Sequence, residues 1–199
     1  MPHIDYYFSM LSPFAYLAGP RFEEIAATHG AEVAYKPFDI MTLFPRTGGA
    51  PLSERHPSRV EYRNQDLPRQ ARKAGFPLNL KPAHWPTNAA PASYAIIAAQ
   101  KAGGGDLGGL IYTLLRASWA EEKDIAEDAV IREALTANGF EAGLADSGLL
   151  VGAEEYGRNT EDAVMSGVFG SPFWILEGDQ RFWGQDRLED LDLTLAGKL

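Results

Sequence analysis

The first seventeen residues change periodicity once, at Ser12-Pro13, and that junction limits what the chain can fold into. Ile4 to Phe8 is β-branched and aromatic, the pattern of a strand. Ser12 followed by Pro13 reads as an N-cap with proline in the first helical turn. From Pro13 to about Thr28, Tyr16, Leu17, Phe22, Ile25 and Ala26 fall on one side of a helix. A strand that feeds straight into a helix is an α/β arrangement. Ser12 then lies where unpaired backbone N–H groups and the positive end of the helix dipole point outward, a place to hold an anion. Serine is also a common N-cap with no chemistry, so the junction alone leaves both readings open.

A second signal stands near the other end. Phe173 to Leu176 reads as a strand, Glu177-Gly178-Asp179 as a tight turn, and Gln180 to Trp183 as the hairpin partner. Pro172 opens the first of these strands, so it either sits at an edge or forms a cis bond. Asp186 precedes a last apolar-periodic helix carrying Leu188, Leu191, Leu193 and Leu195.

Between the two ends the chain is mostly helical. A second strand is predicted from Glu32 to Phe38, then a loop rich in Gly and Pro from Phe44 to Pro57. Helices are predicted over Ser58 to Ala74, Ala90 to Ala102, Leu107 to Trp119 and Asp128 to Ala137. A short helix from Glu141 and a longer one from about Gly152 to Met165 follow. Asp124 and Glu127 have capping-box spacing, and Asn138-Gly139 stops a helix. Gly103-Gly104-Gly105 lacks the Lys-Ser/Thr end of a phosphate-binding loop.

Three blocks carry a family resemblance. They are Asp5 to Leu17, Gly170-Ser171-Pro172-Phe173, and Phe182-Trp183-Gly184-Gln185-Asp186-Arg187. Together they resemble the thioredoxin fold and, more narrowly, the DsbA-like branch of kappa-class glutathione transferases and 2-hydroxychromene-2-carboxylate isomerases. The resemblance spans nearly the whole chain in length and element order. It implies an α/β, thioredoxin-like fold with a helical domain inserted between the two halves of the sheet domain. The sheet domain is placed at 1–40 and 166–199, and the inserted helical domain at 41–165. Redox members carry Cys-x-x-Cys on the first turn of the first helix, where this chain has Ser12-Pro13-Phe14-Ala15.

With no cysteine at all, the chain can make no disulfide and supply no thiolate. Its 199 residues suffice for one domain with a sizeable core, or one with an insertion. Pro2, His3 and Asp5 interrupt the N-terminus before an apolar run develops, and no stretch reads as a membrane span, so a cytoplasmic location is expected. A net charge of −9 argues against nucleic acid as a partner. From Arg46 to Lys81, however, eight Lys/Arg face three Asp/Glu. Arg55, Arg59 and Arg63, four residues apart, share one helix face. They read either as a solvated face paired with acids elsewhere or, for one or two of them, as groups that hold a small carboxylate. The spacing of His3, His29, His56 and His84 matches no metal motif.

Ser12 admits two chemistries. As a nucleophile it needs a base held by a carboxylate, and neither a histidine motif nor a Gly-x-Ser-x-Gly elbow is present. As a hydroxyl donor it would stabilise the thiolate of bound glutathione (GSH), the role that serine holds in the resembled family and the one assigned to it as the catalytic residue. The family pattern further assigns glutathione-binding roles to Ser171, Pro172, Gln185 and Asp186. Ser171, before Pro172, would pair its backbone with the cysteinyl residue. Asp186 would take the γ-glutamyl ammonium, and Gln185 with the helix start its carboxylate. Gly49 stands where many members have an asparagine that binds glutathione, so this interaction is either missing here or made by the backbone.

The substrate half reads more weakly. Phe8, Phe44, Trp85 and Tyr94 are candidates for an aromatic pocket, with Arg46, Arg55, Arg59 or His84 near a carboxylate. The resemblance implies a glutathione-dependent isomerase interconverting 2-hydroxychromene-2-carboxylate and trans-o-hydroxybenzylidenepyruvate, in naphthalene-type aromatic degradation. Its partners would be glutathione, a small aromatic carboxylate and, as a homodimer, a second copy of the chain. The alternatives are a kappa-like transferase that conjugates electrophiles and a non-catalytic thioredoxin-like binding module.

Overall fold

A computed structural model describes all 199 residues. Strand β1 (His3–Phe8) runs into helix α1 (Pro13–Thr28), and strand β2 (Glu32–Pro37) returns parallel to β1. Helices α2 (Ile40–Thr47), α3 (Pro57–Ala74), α4 (Ala90–Ala102), α5 (Leu107–Ala120), α6 (Asp128–Ala137), α7 (Leu144–Ser147) and α8 (Leu149–Met165) follow. The hairpin β3 (Phe173–Leu176) and β4 (Gln180–Trp183) then joins the sheet, and α9 (Leu188–Leu195) closes the chain. The strand order is β2-β1-β3-β4, with β3 antiparallel to both β1 and β4. Elements from opposite ends of the sequence therefore meet at the β1–β3 pair. No helix is long and apolar enough to cross a membrane.

Alternation along β1 sends side chains to two separately covered faces. Ile4, Tyr6 and Phe8 belong to the large core, where Tyr6 stacks on its cross-strand partner Trp174 with ring centroids 5.3 Å apart. Phe22 of α1 packs on both rings. Burial of Phe8 and of Phe22 contributes roughly 1.5–3 kcal/mol each. That core continues without a break through Leu67 of α3, Ile96 of α4 and Leu114 and Trp119 of α5. On the other face, Tyr7 packs with Phe38, Leu43, Ala163 and Phe173. Its hydroxyl donates to Asp162 of α8 at 2.8 Å, and Lys36 bridges Asp162 (2.8 Å) and Asp5 (3.0 Å). These bonds tie α8 to the sheet.

Several expectations need correction. The segment from Phe44 to Pro57 is not all loop. Asp39 accepts from the N–H groups of Met41 and Thr42 and starts α2, which ends on the left-handed Gly48. Pro45 inside this short helix hides it from a propensity reading. Helix α1 is bent where Gly19 takes φ +34 ahead of Pro20, a backbone angle that needs glycine. Asp124 and Glu127 form no capping box: Glu127 caps α6 without a side-chain bond, and Asp124 accepts instead from Ala126 N and Thr87 Oγ1. Asp186 does not stand directly before α9 but within a 3₁₀ turn, Gln185–Arg187, ahead of it. The peptide bond Ser171-Pro172 is cis and β3 is an inner strand, which settles the two readings of Pro172; Trp85-Pro86 is also cis.

Candidate active site

The β1–α1 junction opens on a cleft of about 1110 Å³. Leu11, Ser12, Pro13 and Phe14 line it at the sheet, beside Gly170 and Ser171. Trp183 to Arg187, at the end of the hairpin, form one wall. Helix α2, the loop through Gly49 and the first half of α3 form the other. Although the chain carries −9 overall, four arginines (Arg55, Arg59, Arg63, Arg187) line the cleft against three carboxylates (Glu54, Asp66, Asp186). The cleft is thus the more favourable surface for an anion.

Ser12 is buried and held from three sides. Its N–H donates to Ser9 O at 3.0 Å. Its Oγ accepts from Ala15 N at 3.2 Å, the N-cap bond, and donates to Ser171 O at 2.9 Å. Ser171 Oγ in turn accepts from Ser9 N at 2.9 Å. The cis-proline loop and the helix start are therefore locked together through two serines 159 residues apart in sequence. The Ser171 N–H makes no hydrogen bond within the chain, and neither does the Phe14 N–H in the first turn of α1. Two backbone donors and one hydroxyl therefore converge on the floor of the cleft.

Gly184, at φ +102, turns the chain from β4 into Gln185-Asp186. Asp186 Oδ1 occupies the space that a side chain on Gly184 would fill. The Asp186 carboxylate also receives Arg187 Nη2 at 2.9 Å, and Arg187 reaches Asp190 as well. The Asp190 and Asp186 carboxylates raise the pKa of the Arg187 guanidinium above its ordinary value. Gly49 is explained by its neighbour: a Cβ there would come within 2.2 Å of the Phe44 ring. Arg55 lies over that same ring at 5.7 Å and donates from Nε to Ala50 O at 2.9 Å. The space that a side chain at position 49 would take is thus filled by an aromatic ring with a guanidinium on it.

Of the residues singled out in the sequence, Ser12, Ser171, Gln185, Asp186, Gly49 and Trp85 meet in this cleft, with Pro172 directly behind Ser171. Phe44 and Arg55, Arg59 and Arg63 join them. Phe8, Arg46 and His84 do not. Phe8 is fully buried in the core, stacked on Tyr6 at 4.8 Å, because alternation from Tyr6 sends it to the same face. Arg46 turns outward into a bidentate pair with Glu161 of α8 at 2.6 and 2.8 Å. His84 is half-exposed outside the cleft lining, with Nδ1 3.9 Å from Asp124 Oδ2. Tyr94 packs edge-on against Tyr156 of α8. Sequence reasoning missed Tyr62, Phe169 and Trp183, which line the cleft although 63%, 41% and 51% exposed. Phe169 meets the Trp183 ring edge-on at 4.9 Å. The proximity in sequence of Phe169 to Ser171 and of Trp183 to Gln185 was the available signal.

The strand order and a serine at the α1 start facing a cis-proline loop define a thioredoxin-like domain without a redox pair. The DSBA-like thioredoxin domain family matches residues 3–196, and the chain belongs to that family. It is 30% identical to the 2-hydroxychromene-2-carboxylate isomerase of Pseudomonas putida over 97% of this chain and 94% of that protein. It is 27% identical to the isomerase of the same name from Sphingobium xenophagum, over 96% and 97%. A solved 2-hydroxychromene-2-carboxylate isomerase superimposes with a TM-score of 0.76 at 26% identity, covering 98% of this chain and 95% of that one. The cytosolic disulfide reductase DsbM of Pseudomonas aeruginosa, solved with GSH, shares the fold at a TM-score of 0.71 and 20% identity over 98% of both chains. By this kinship the chain is an isomerase of the DsbA-like thioredoxin family.

Proposed function

We propose that the protein is a glutathione-dependent isomerase of conjugated aryl pyruvates, acting on 2-hydroxychromene-2-carboxylate and trans-o-hydroxybenzylidenepyruvate. The observation that carries this reading is the Ser12–Ser171 pair: one rotatable hydroxyl proton facing a backbone N–H with no partner in the chain. The cleft's residues suit the tripeptide. Ser171 offers an extended backbone to the cysteinyl unit, Asp186 a carboxylate to the ammonium, and Gln185 a side chain to the γ-glutamyl carboxylate. Arg55, at the Gly49-Ala50 loop, offers a charged donor where the family asparagine is lacking.

When bound, glutathione would supply a nucleophilic thiolate for reversible addition to the conjugated double bond and would be regenerated unchanged. The chain's part is to make that thiolate available and hold its target. The Ser12 hydroxyl turns its proton from Ser171 O toward the sulfur while still accepting from Ala15 N. Ser171 O, so released, accepts the peptide N–H instead. The Phe14 N–H and the α1 dipole add positive potential at the same point. A hydroxyl donor and a helix N-terminus lower a thiol's pKa from about 8.5 by roughly one to several units. Phe44, Tyr62, Trp85, Phe169 and Trp183 supply aromatic surface for the substrate.

The division into a sheet domain, 1–40 and 166–199, and a helical insertion, 41–165, belongs to the same reading, as do a homodimer and a cytoplasmic location. An isomerisation assay with and without glutathione tests the proposal. Turnover should require glutathione and leave its concentration unchanged. Ser12→Ala should lower kcat by about 10²-fold or more, the scale of losing one preorganised donor to a charged centre. Stoichiometric loss of glutathione would make the protein a transferase, and full activity in Ser12→Ala would remove the serine from the mechanism.

A further inference from the structure

Arg63 is a half-buried guanidinium that the fold leaves without a counter-ion. It lies on α3 four and eight residues before Leu67 and Ala71, both buried in the core. That spacing puts Arg63 on the same, inward face of the helix, one turn beyond the last apolar side chain. There it lines the cleft rather than the core. No ion pair or hydrogen bond reaches it. Asp66, the acid one turn further along the helix, accepts from Gln70 at 3.3 Å. Desolvation and the neighbouring Arg55 both push the Arg63 pKa down, and no carboxylate offsets them. A charge left so is costly until a ligand supplies the partner.

We propose that Arg63 is the seat of the carboxylate of the electrophilic substrate and selects aryl α-keto acids over neutral electrophiles of the same shape. This rests on the isomerase reading for the reaction, but the seat itself is a binding property. Of the three carboxylates among the reactants, Gln185 is assigned the γ-glutamyl one, so two neighbouring guanidiniums are left for the glycyl carboxylate and that of the substrate. Arg55 is already tied to the Gly49-Ala50 loop by its bond to Ala50 O. Arg63 makes no such bond and stands in line with the α3 residues that share the core with α1, whose N-cap is Ser12. Arg63 therefore takes the carboxylate of the molecule that must reach the sulfur. Its planar fork suits a carboxylate bidentately, and Lys would replace it only as a point charge.

The test compares wild type, Arg63→Gln and Arg63→Lys in calorimetric binding of phenylpyruvate, of its methyl ester and of glutathione. Phenylpyruvate has the α-keto carboxylate and no conjugated alkene, so no turnover is needed. Wild type should prefer the acid, and Arg63→Gln should weaken the acid by about 10–100-fold, the scale of a charge-assisted pair, while binding the ester as wild type does. Arg63→Lys should recover part of the loss, which also shows that the variants are folded. Equal affinity of Arg63→Gln and wild type for the acid would overturn the proposal. A selective loss of glutathione affinity would also overturn it, by making Arg63 the seat of the glycyl carboxylate. Arg63-dependent binding by a protein that isomerises nothing would keep the seat and discard only the reaction.

Discussion

The Ser12 hydroxyl has a single proton, which the chain on its own gives to Ser171 O. Replacing it with alanine removes two bonds at once, the N-cap and the tie to the cis-proline loop, so Ser12→Ala should also cost about 1 kcal/mol of stability beside its effect on rate. Glu23 shows the opposite balance. Its carboxyl is partly buried near the start of α5, accepts the Tyr35 hydroxyl at 2.6 Å, and has its pKa pushed up by desolvation. A carboxyl whose folded pKa lies above its unfolded one favours folding at low pH, and that advantage is lost as pH rises through the folded value. Glu23→Gln should therefore raise the urea midpoint at pH about 7, with the gain vanishing as the acid range is approached near pH 4. A gain that persists unchanged at low pH would show that the charge is not what matters.

Among the elements, the loop from Asn79 to Asn88 explains how Trp85 comes to face the cleft. Glu122, in a left-handed conformation at φ 56, takes Asn79 Nδ2 and Ala83 N, and Asp124 takes Thr87 Oγ1. Two carboxylates of the α5–α6 connection thus clamp the loop, and Trp85 rests on Trp119 of α5 with centroids 4.8 Å apart. The Thr87 hydroxyl, then Ala126 N and the His84 charge, hold the Asp124 pKa below the ordinary carboxylate range. Its stabilisation is present above the unfolded pKa, about 3.9, and is lost as pH falls through the lower folded value. Asp124→Ala should loosen this loop at neutral pH by about 1 kcal/mol, read as faster amide exchange at residues 83–88, and should reduce their acid sensitivity. None of this was legible in the sequence, where Asp124-x-x-Glu127 looked like a capping box. The spacing was right for a cap, but the acceptor was claimed by a threonine 37 residues away. Helix α2 was hidden for a local reason, its internal Pro45, whereas α1, α4, α6 and the hairpin stand close to where periodicity and the turn residues put them.

At the scale of the whole molecule, the sheet is made of a strand–helix–strand unit from the start of the chain and a hairpin from its end. The site forms where they join. Its backbone frame was readable because Ser12-Pro13, Ser171-Pro172 and Gly184-Gln185-Asp186 are each local signals with local causes. The aromatic walls of the cleft were not, because Tyr62, Phe169 and Trp183 owe their place to how α3 and the hairpin face each other. For the same reason Phe8, Arg46 and His84 were misjudged: composition named plausible side chains, and the packing turned them into the core, onto Glu161 and toward Asp124. The central claim is that this frame holds glutathione and keeps it ionised. Calorimetric titration of the protein with glutathione, joined to ultraviolet difference absorbance of the bound thiolate against pH, tests it most directly. The account predicts binding and a bound-thiol pKa at least about one unit below the free value near 8.5, moved back upward in Ser12→Ala. No binding at millimolar glutathione, or a bound thiol that titrates like the free one, would contradict it.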